Sequence, residues 1–402
     1  MSLFGIKYKN TPSTSLSHYT KQIEKLRKEI KANKIGAISI VDQEDDLKEF
    51  EKFAKKIREY KKVIILGVGG SSLGAKTLCS LKNQDKVQFI ESIDPATIRN
   101  NINNLNFADS FFIVMSKSGQ TIETTCQTLL IINKFKELKI PNFEQQFLFV
   151  TQDLKSSIGQ IAQEIKAEIT SHPDNIGGRY SVFSIVGLLP SLIAGINIKD
   201  IRLGAKEIIN EFLENDSLAN DIATQITLYE QGYTNNVLMP YIDDLENFNH
   251  WYRQLSAESL GKNGFGATPI NSMGTVDQHS QLQLYLEGPK DKFFTFITQK
   301  NHNHDLVITK LDNVHTLFDN KTLSQIVKIE EETTIEVLNQ KKLPVRIIEI
   351  DQINEKVLGG LMMQMFIETI ALSYIKNINP FDQPAVELRK DLAKKLLNDD
   401  SN

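Results

Sequence analysis

The sequence predicts an α/β protein built from two doubly wound parallel-sheet units and a C-terminal helical arm. Three observations carry that reading. Short, wholly apolar runs such as Val63-Ile64-Ile65-Leu66 and Phe111-Phe112-Ile113-Val114-Met115 have the length and residue types of strands covered on both faces. Stretches of helical period separate them, and strand–helix alternation of this kind implies right-handed crossovers and a parallel sheet. The alternation lapses over a helix-rich, strand-poor stretch, 183–232, and then resumes, so the pattern occurs twice.

Residues 1–45 read as an N-terminal helical extension with a lysine-rich helix near 17–33. The first unit, 46–200, carries strands at Val63–Val68, Val87–Ser92, Phe111–Lys117, Phe147–Gln152 and Ala167–Ser171. The second, 201–378, carries strands at Val237–Ile242, Phe293–Thr298 and Val345–Ile350, with helices at Glu246–Leu260 and Ile353–Ile375. Within it, 262–290 is rich in Gly, Asn and Ser and has weak periodicity, with His279 at the apparent start of a helix. The arm, 379–402, holds a last helix at Ala385–Leu397 after Asn379-Pro380-Phe381-Asp382. In doubly wound sheets, ligands lie beyond the carboxyl ends of the strands.

The 402 residues suffice for two or three domains, and 41% apolar with 24% charged residues is ordinary for a globular protein. A net charge of −4 gives no global attraction to nucleic acid or to an anionic membrane, so any anion site must be local. Cys79 and Cys126 each fall inside an expected helix, which argues for a reducing compartment and for buried structural thiols. Met1 to Tyr8 has no signal-peptide core, and no uninterrupted apolar run approaches the ~20 residues of a membrane span. These features point to a cytoplasmic protein.

The strand Phe111–Met115 runs into Ser116-Lys117-Ser118-Gly119-Gln120-Thr121, and a helical pattern continues to about Leu138. Unpaired amides at a helix N-terminus, hydroxyl donors and one ammonium make a phosphate cradle. A polar loop with an ordinary helix cap is the alternative. The device recurs where Val63–Leu66 meets Gly67-Val68-Gly69-Gly70-Ser71-Ser72-Leu73-Gly74. This is not a dinucleotide fingerprint, which needs glycine where Ser72 stands. Nor is it a P-loop, since Gly69 to Thr77 has one residue too many before the lysine. Two such turns at the ends of two parallel strands suggest one phosphorylated small molecule held between them.

Gln254 and Glu258 are four apart on one helix and share a face. Glu258 is either a general base or the partner of Lys262 on a solvated surface. Gly261, Asn263, Gly264 and Gly266 end that helix in the composition of a ligand loop. His279, in Gly274-Thr275-Val276-Asp277-Gln278-His279-Ser280, is either a proton-transfer group or a capping histidine. Arg179, after Gly177-Gly178, is either a fixed cation for a phosphate or enediolate, or a loop-anchoring ion pair. Gln383, Glu387 and Lys390 lie on or before the last helix and, without context, read as a solvated face. The tract Asn301-His302-Asn303-His304-Asp305 has poor spacing for a metal and reads as a solvated loop.

Taken in order, Gly67–Gly74, Ser116–Thr125, Gly177-Gly178-Arg179-Tyr180-Ser181, Gln254–Lys262, Gly274–His279 and Gln383–Lys390 resemble the motifs of the glucose-6-phosphate isomerase (phosphoglucose isomerase) family over residues 60–392. The resemblance implies two sugar-isomerase (SIS) α/β domains and interconversion of glucose 6-phosphate and fructose 6-phosphate, with no metal and no organic cofactor. It puts Ser116, Lys117, Ser118 and Thr121 around the phosphate, with Gly70 and Ser71 nearby. It makes Glu258 the base that moves a proton between C1 and C2, and Arg179, after Gly178, the cation beside the enediolate. His279 and Lys390 become groups of ring opening, Gln254 and Gln383 sugar contacts, and Glu123 a residue that orients His279. It further implies a hexose phosphate as the partner, no nucleic acid, no membrane, and a homodimer whose active sites are shared through the His279 loop. A related SIS isomerase acting on another hexose phosphate and a non-catalytic sugar-phosphate sensor are the alternatives. A sensor has no need of Glu258 and His279 together, and no helix-turn-helix signature or basic face accompanies them.

Overall fold

The computed structural model describes residues 3–82, 84–303 and 305–399. The chain opens with strand β1 (Phe4–Lys9) and helices α1 (Thr20–Lys31), α2 (Gly36–Ser39) and α3 (Asp45–Ile57). Next come β2 (Lys62–Leu66), α4 (Leu73–Cys79), β3 (Val87–Ile90), α5 (Pro95–Asn103), β4 (Ser110–Met115), α6 (Ile122–Glu137), β5 (Phe147–Thr151), α7 (Ser157–Glu164) and β6 (Glu168–Ser171). Helices α8 (Ile185–Ile193), α9 (Ile198–Glu214) and α10 (Ser217–Glu230) fill the strand-poor stretch. Then follow β7 (Asn235–Pro240), α11 (Glu246–Leu260), β8 (Thr268–Asn271), α12 (Leu282–Glu287), β9 (Lys292–Gln299), α13 (Leu323–Gln340), β10 (Val345–Ile350), α14 (Glu355–Ile375) and α15 (Pro384–Asp399).

Two five-stranded sheets result, ordered β3-β2-β4-β5-β6 and β1-β10-β9-β7-β8. The first is parallel throughout, and so is the second apart from β1. Setting β1 aside, the strands β7, β8, β9 and β10 repeat the order of β2, β3, β4 and β5. In both sheets the first crossover goes to one side and the next to the other. The crevice is therefore expected beyond β2 and β4 in one sheet and beyond β7 and β9 in the other. Every residue of β4 and β5 is buried, as expected for parallel strands with helices on both faces.

Helix α14 is apolar around its whole circumference, which suits a helix with no solvent face. Among the described residues it alone is long and apolar enough to cross a membrane, and 89% of that span is buried inside this fold against α9, α11 and α1. Leu358, Leu361, Phe366 and Ile370 are fully buried, so truncating any of them to alanine costs roughly 2–5 kcal/mol.

Several expectations need correction. The start of the presumed helical extension is a strand, since Phe4–Lys9 lies antiparallel to β10, with Phe4 opposite Ile350 and Lys9 opposite Val345. Its Tyr8 hydroxyl reaches the Asp221 carboxylate in a buried cluster with Arg346 and Glu368. The edge that recruits these residues is made only at the far end of the chain. The weakly periodic 262–290 stretch holds β8, a four-residue edge strand on β7 that was not expected, whereas the helix expected near His279 is present as the short α12. Cys79 is buried, and burial pushes its thiol up to about 12, but Cys126 is exposed, on the solvent side of α6. His304 of the histidine tract lies outside the described residues, as do Met1, Ser2 and the last three residues of the arm.

Candidate active site

The two glycine- and hydroxyl-bearing turns lie side by side because β2 and β4 do. A Cβ on Gly67 would sit 3.2 Å from the Met115 carbonyl, so the turn after β2 leans on the end of β4. In the turn after β4, Ser116 is buried and its Oγ lies 3.0 Å from Thr121 Oγ1. Thr121 occupies the N-cap of α6 without a side-chain capping bond, so the first amides of α6 have no side-chain acceptor there. Gly119 turns the chain with φ +61°, and a Cβ there would lie 1.8 Å from Ser156 Oγ. The Ser116 and Thr121 hydroxyls and the first amides of α6 thus lie together at this turn. The Lys117 ammonium is directed elsewhere: its Nζ donates to the carbonyls of Asp174 and Ile176, each at 2.9 Å, and burial lowers its pKa. Its side chain ties down the neighbouring loop, a role that residue type alone does not reveal.

In the turn after β2, Gly70 packs directly on Gly178. A Cβ on Gly70 would lie 2.3 Å from the Gly178 carbonyl carbon and 2.6 Å from Arg179 N. The Gly177-Gly178-Arg179 turn can reach the site only because neither surface carries a side chain. Ser71 is half-buried and its hydroxyl makes no hydrogen bond among the described residues. Ser72 is buried against Glu91, which also holds Lys76 at 2.7 Å, a brace for the glycine turn that the motif alone did not reveal.

Helix α11 brings Glu258 to the same place. Its Oε2 lies 3.2 Å from Arg179 Nη1 and its Oε1 accepts from Gln254 Nε2 at 3.0 Å. Gln254 Oε1 is buried with no partner, an open acceptor beside Gly69, whose Cβ would lie 3.0 Å from the Gln254 nitrogen. The alternative Glu258–Lys262 pair does not form. Lys262 instead donates to the Asp382 carbonyl at 2.7 Å and to its carboxylate at 2.8 Å, which holds that carboxyl below its usual range. Arg179 anchors the neighbouring segments, one of the two roles considered for it. It pairs with Glu258, and it donates to Ser259 Oγ at 2.8 Å, Gln383 Oε1 at 2.8 Å, the Asp382 carbonyl at 2.9 Å and the Pro380 carbonyl. Ser259, the next residue on α11, was not singled out by sequence, because adjacent helix positions face different ways and only the fold brings it to Arg179.

Arg179 and Lys262 anchor the root of the arm, and α15 then crosses the cradle. A cavity of about 100 Å³ lies between Ser118, Gln120, Thr121 and Glu123 on one side and Glu387, Arg389, Lys390, Asp391 and Lys394 on the other. Lys390 pairs with Glu387 at 2.8 Å, and Lys394 donates to Gln120 Oε1 at 2.5 Å. Glu123 faces Arg389 at 4.0 Å. His279 is exposed at the end of the turn Val276–His279 and makes no side-chain hydrogen bond or ion pair among the described residues. The expected Glu123–His279 contact therefore does not form within one chain. The turn itself is well held: Asp277 accepts from Met273 N at 2.7 Å, and Gln278 links the Tyr241 hydroxyl to Glu330. Among the described residues no three His, Cys, Asp or Glu side chains are grouped to hold a metal.

Comparison with known proteins matches this arrangement to one family. The sequence profile of phosphoglucose isomerase matches residues 42–402. The chain belongs to the phosphoglucose isomerase family. It is 30% identical over 405 residues to the glucose-6-phosphate isomerase of Campylobacter jejuni, covering 97% of this chain and 98% of that one. A hypothetical protein from Thermus thermophilus superposes with a TM-score of 0.90 at 25% identity, covering 98% of this chain and all of its own. The glucose-6-phosphate isomerase of Chlamydia trachomatis shares the fold with a TM-score of 0.84 at 19% identity, over 99% of this chain and 89% of that one. The α/β class, the paired parallel sheets and the helical arm are thus those of the phosphoglucose isomerase family.

Proposed function

We propose that this phosphoglucose isomerase family member interconverts glucose 6-phosphate and fructose 6-phosphate through a cis-enediolate, with Glu258 as the base. The observation that carries the reading is the setting of Glu258. Both of its oxygens are held, by Arg179 and by Gln254, yet 29% of its side chain stays open. A carboxylate so positioned can take a proton from C1 or C2 and return it to the other carbon. The fixed guanidinium beside it stabilises the oxygen charge that develops. The phosphate does not react; held by Ser116, Ser118, Thr121 and the α6 amides, its binding energy fixes C1 and C2 against Glu258.

The reactive carbonyl exists only in the open chain, so a separate acid and base must open the ring. In this proposal Lys390 and a histidine supply them. His279 stands free of its own chain's Glu258, which supports a homodimer in which the partner subunit's His279 completes each site. Leu388, Leu392 and Leu396 on α15 and Val276 beside the histidine are exposed apolar residues that an interface would cover. The reaction needs no organic cofactor or metal, and the setting is cytoplasmic.

A coupled assay of purified protein with fructose 6-phosphate in EDTA tests the reading. Glucose 6-phosphate is expected to form at an undiminished rate, and no turnover would reject it. Sedimentation is expected to give a dimer, and an active monomer would remove the shared site.

A further inference from the structure

We propose that Lys394 on the C-terminal arm is the cation that meets the substrate phosphate, with Lys117 serving as a loop tether. The inference rests on reading Ser116–Thr121 as the phosphate cradle. That cradle, as folded, has hydroxyls and helix amides but lacks the ammonium its sequence advertised. Lys117 Nζ is taken up by the Asp174 and Ile176 carbonyls, and burial lowers its pKa although the Asp174 charge opposes the shift, so its ammonium is already committed to that loop. A phosphate dianion therefore draws its counter-charge from elsewhere.

The arm is the element that faces the cradle. The cavity between them is about 100 Å³, room enough for a small anionic group. Three cations line it from α15. Arg389 faces Glu123 at 4.0 Å, and Lys390 pairs with Glu387 at 2.8 Å. Lys394 meets only the neutral amide oxygen of Gln120, at 2.5 Å, as its hydrogen-bond partner among the described residues. Glu387 feels the Lys394 charge at longer range, and Asp391 on the same wall makes no ion pair with it. Lys390 and Lys394 are four apart, so one helix face carries both toward the cradle. When phosphate enters, the Lys394 ammonium exchanges a neutral acceptor for an anionic oxygen, and a charge-assisted bond is shorter and stronger. Gln120 thus holds the lysine at the edge of the cradle.

The test uses the full-length protein and inorganic phosphate as the probe, titrated by calorimetry at low and high ionic strength. Lys394→Gln is expected to weaken phosphate binding about fivefold and to flatten its salt dependence, the scale of one partly exposed ion pair. The same variant raises KM for fructose 6-phosphate by a similar factor and leaves kcat within about twofold, because the sugar end is untouched. Lys394→Arg restores most of the affinity. Unchanged phosphate affinity in Lys394→Gln, with Ser116→Ala still weakening it, overturns the role of Lys394 and leaves the cradle standing. A wild type that binds no phosphate, or a Ser116→Ala variant that binds it as well as wild type, overturns the cradle reading and this inference with it.

Discussion

Arg179 and Glu258 form an ion pair at 3.2 Å whose two ends differ in exposure: 3% of the arginine side chain is accessible, against 29% of the glutamate. The guanidinium is locked by Ser259, Gln383 and two backbone carbonyls, so the cation is fixed and the carboxylate is the free end. That asymmetry suits a base that must move a proton beside a charge that must not move.

Glu258→Gln is expected to lower kcat at least about 10³-fold, in the range of a lost general base, with fructose 6-phosphate still bound. Folding is expected to be kept within about 1 kcal/mol, because Arg179 retains its other four partners. Coupled kinetics and calorimetry on the variant check this. Wild-type turnover would exclude Glu258 as the base.

His279→Ala should leave the fold intact, since the side chain is exposed and makes no bond within its own chain. A loss of about 10²-fold is expected on cyclic hexose phosphate, with a smaller loss on an open-chain analogue. Stopped-flow comparison of the two substrates separates ring opening from proton transfer. Equal losses on both would contradict a ring-opening role.

Gly70→Ala pushes a methyl to within 2.3 Å of the Gly178 backbone and 2.6 Å of Arg179 N, with no flexible side chain to yield. The Arg179 turn must shift, at roughly 1–3 kcal/mol and with at least tenfold lower kcat. Gly5→Ala, with open space around it, is the matched control. Denaturant midpoints and kcat for the pair provide the comparison, and matching behaviour of the two variants would show that the Gly70–Gly178 contact is dispensable.

His172 gives a pH signature. It is buried, its Nδ1 lies 3.0 Å from the Pro173 carbonyl, its Nε2 has no partner, and burial lowers its pKa from 6.5 to about 4. The folded value lies below the unfolded one, so the neutral form is favoured by folding. The associated stability is complete above about 6.5 and is lost as pH falls toward about 4, by roughly 3 kcal/mol in all. His172→Asn should flatten that part of the stability curve in urea titrations. Parallel curves for variant and wild type between those pH values would refute the assignment.

Much of the first sheet was legible because its strands are extreme. Residues Phe111–Met115 and Phe147–Thr151 are buried at every position, and continuous apolar runs advertise that. The pairing of Gln254 with Glu258 was legible because helical spacing alone puts them on one face. Edge strands were less visible. Phe4–Lys9 alternates weakly, and Thr268–Asn271 is short and half-buried, so each is defined by the neighbour it pairs with. Where a flexible side chain goes was not legible either. Lys117 looked like a ligand for an anion and instead ties down a loop, while Lys394, not singled out by sequence, reaches Gln120.

Local pattern by itself determined the α/β class, the two glycine- and hydroxyl-bearing turns and the helix that presents Glu258, because strand burial, backbone freedom and helical period are properties of neighbouring residues. The tertiary structure decided which charges meet. Arg179 reaches Glu258, Lys117 reaches the Asp174 and Ile176 carbonyls, and Lys394 reaches Gln120, because α11, the Gly178 turn and the arm are brought together by packing between segments far apart in the chain. Long side chains then settle on whichever acceptors that packing places within reach.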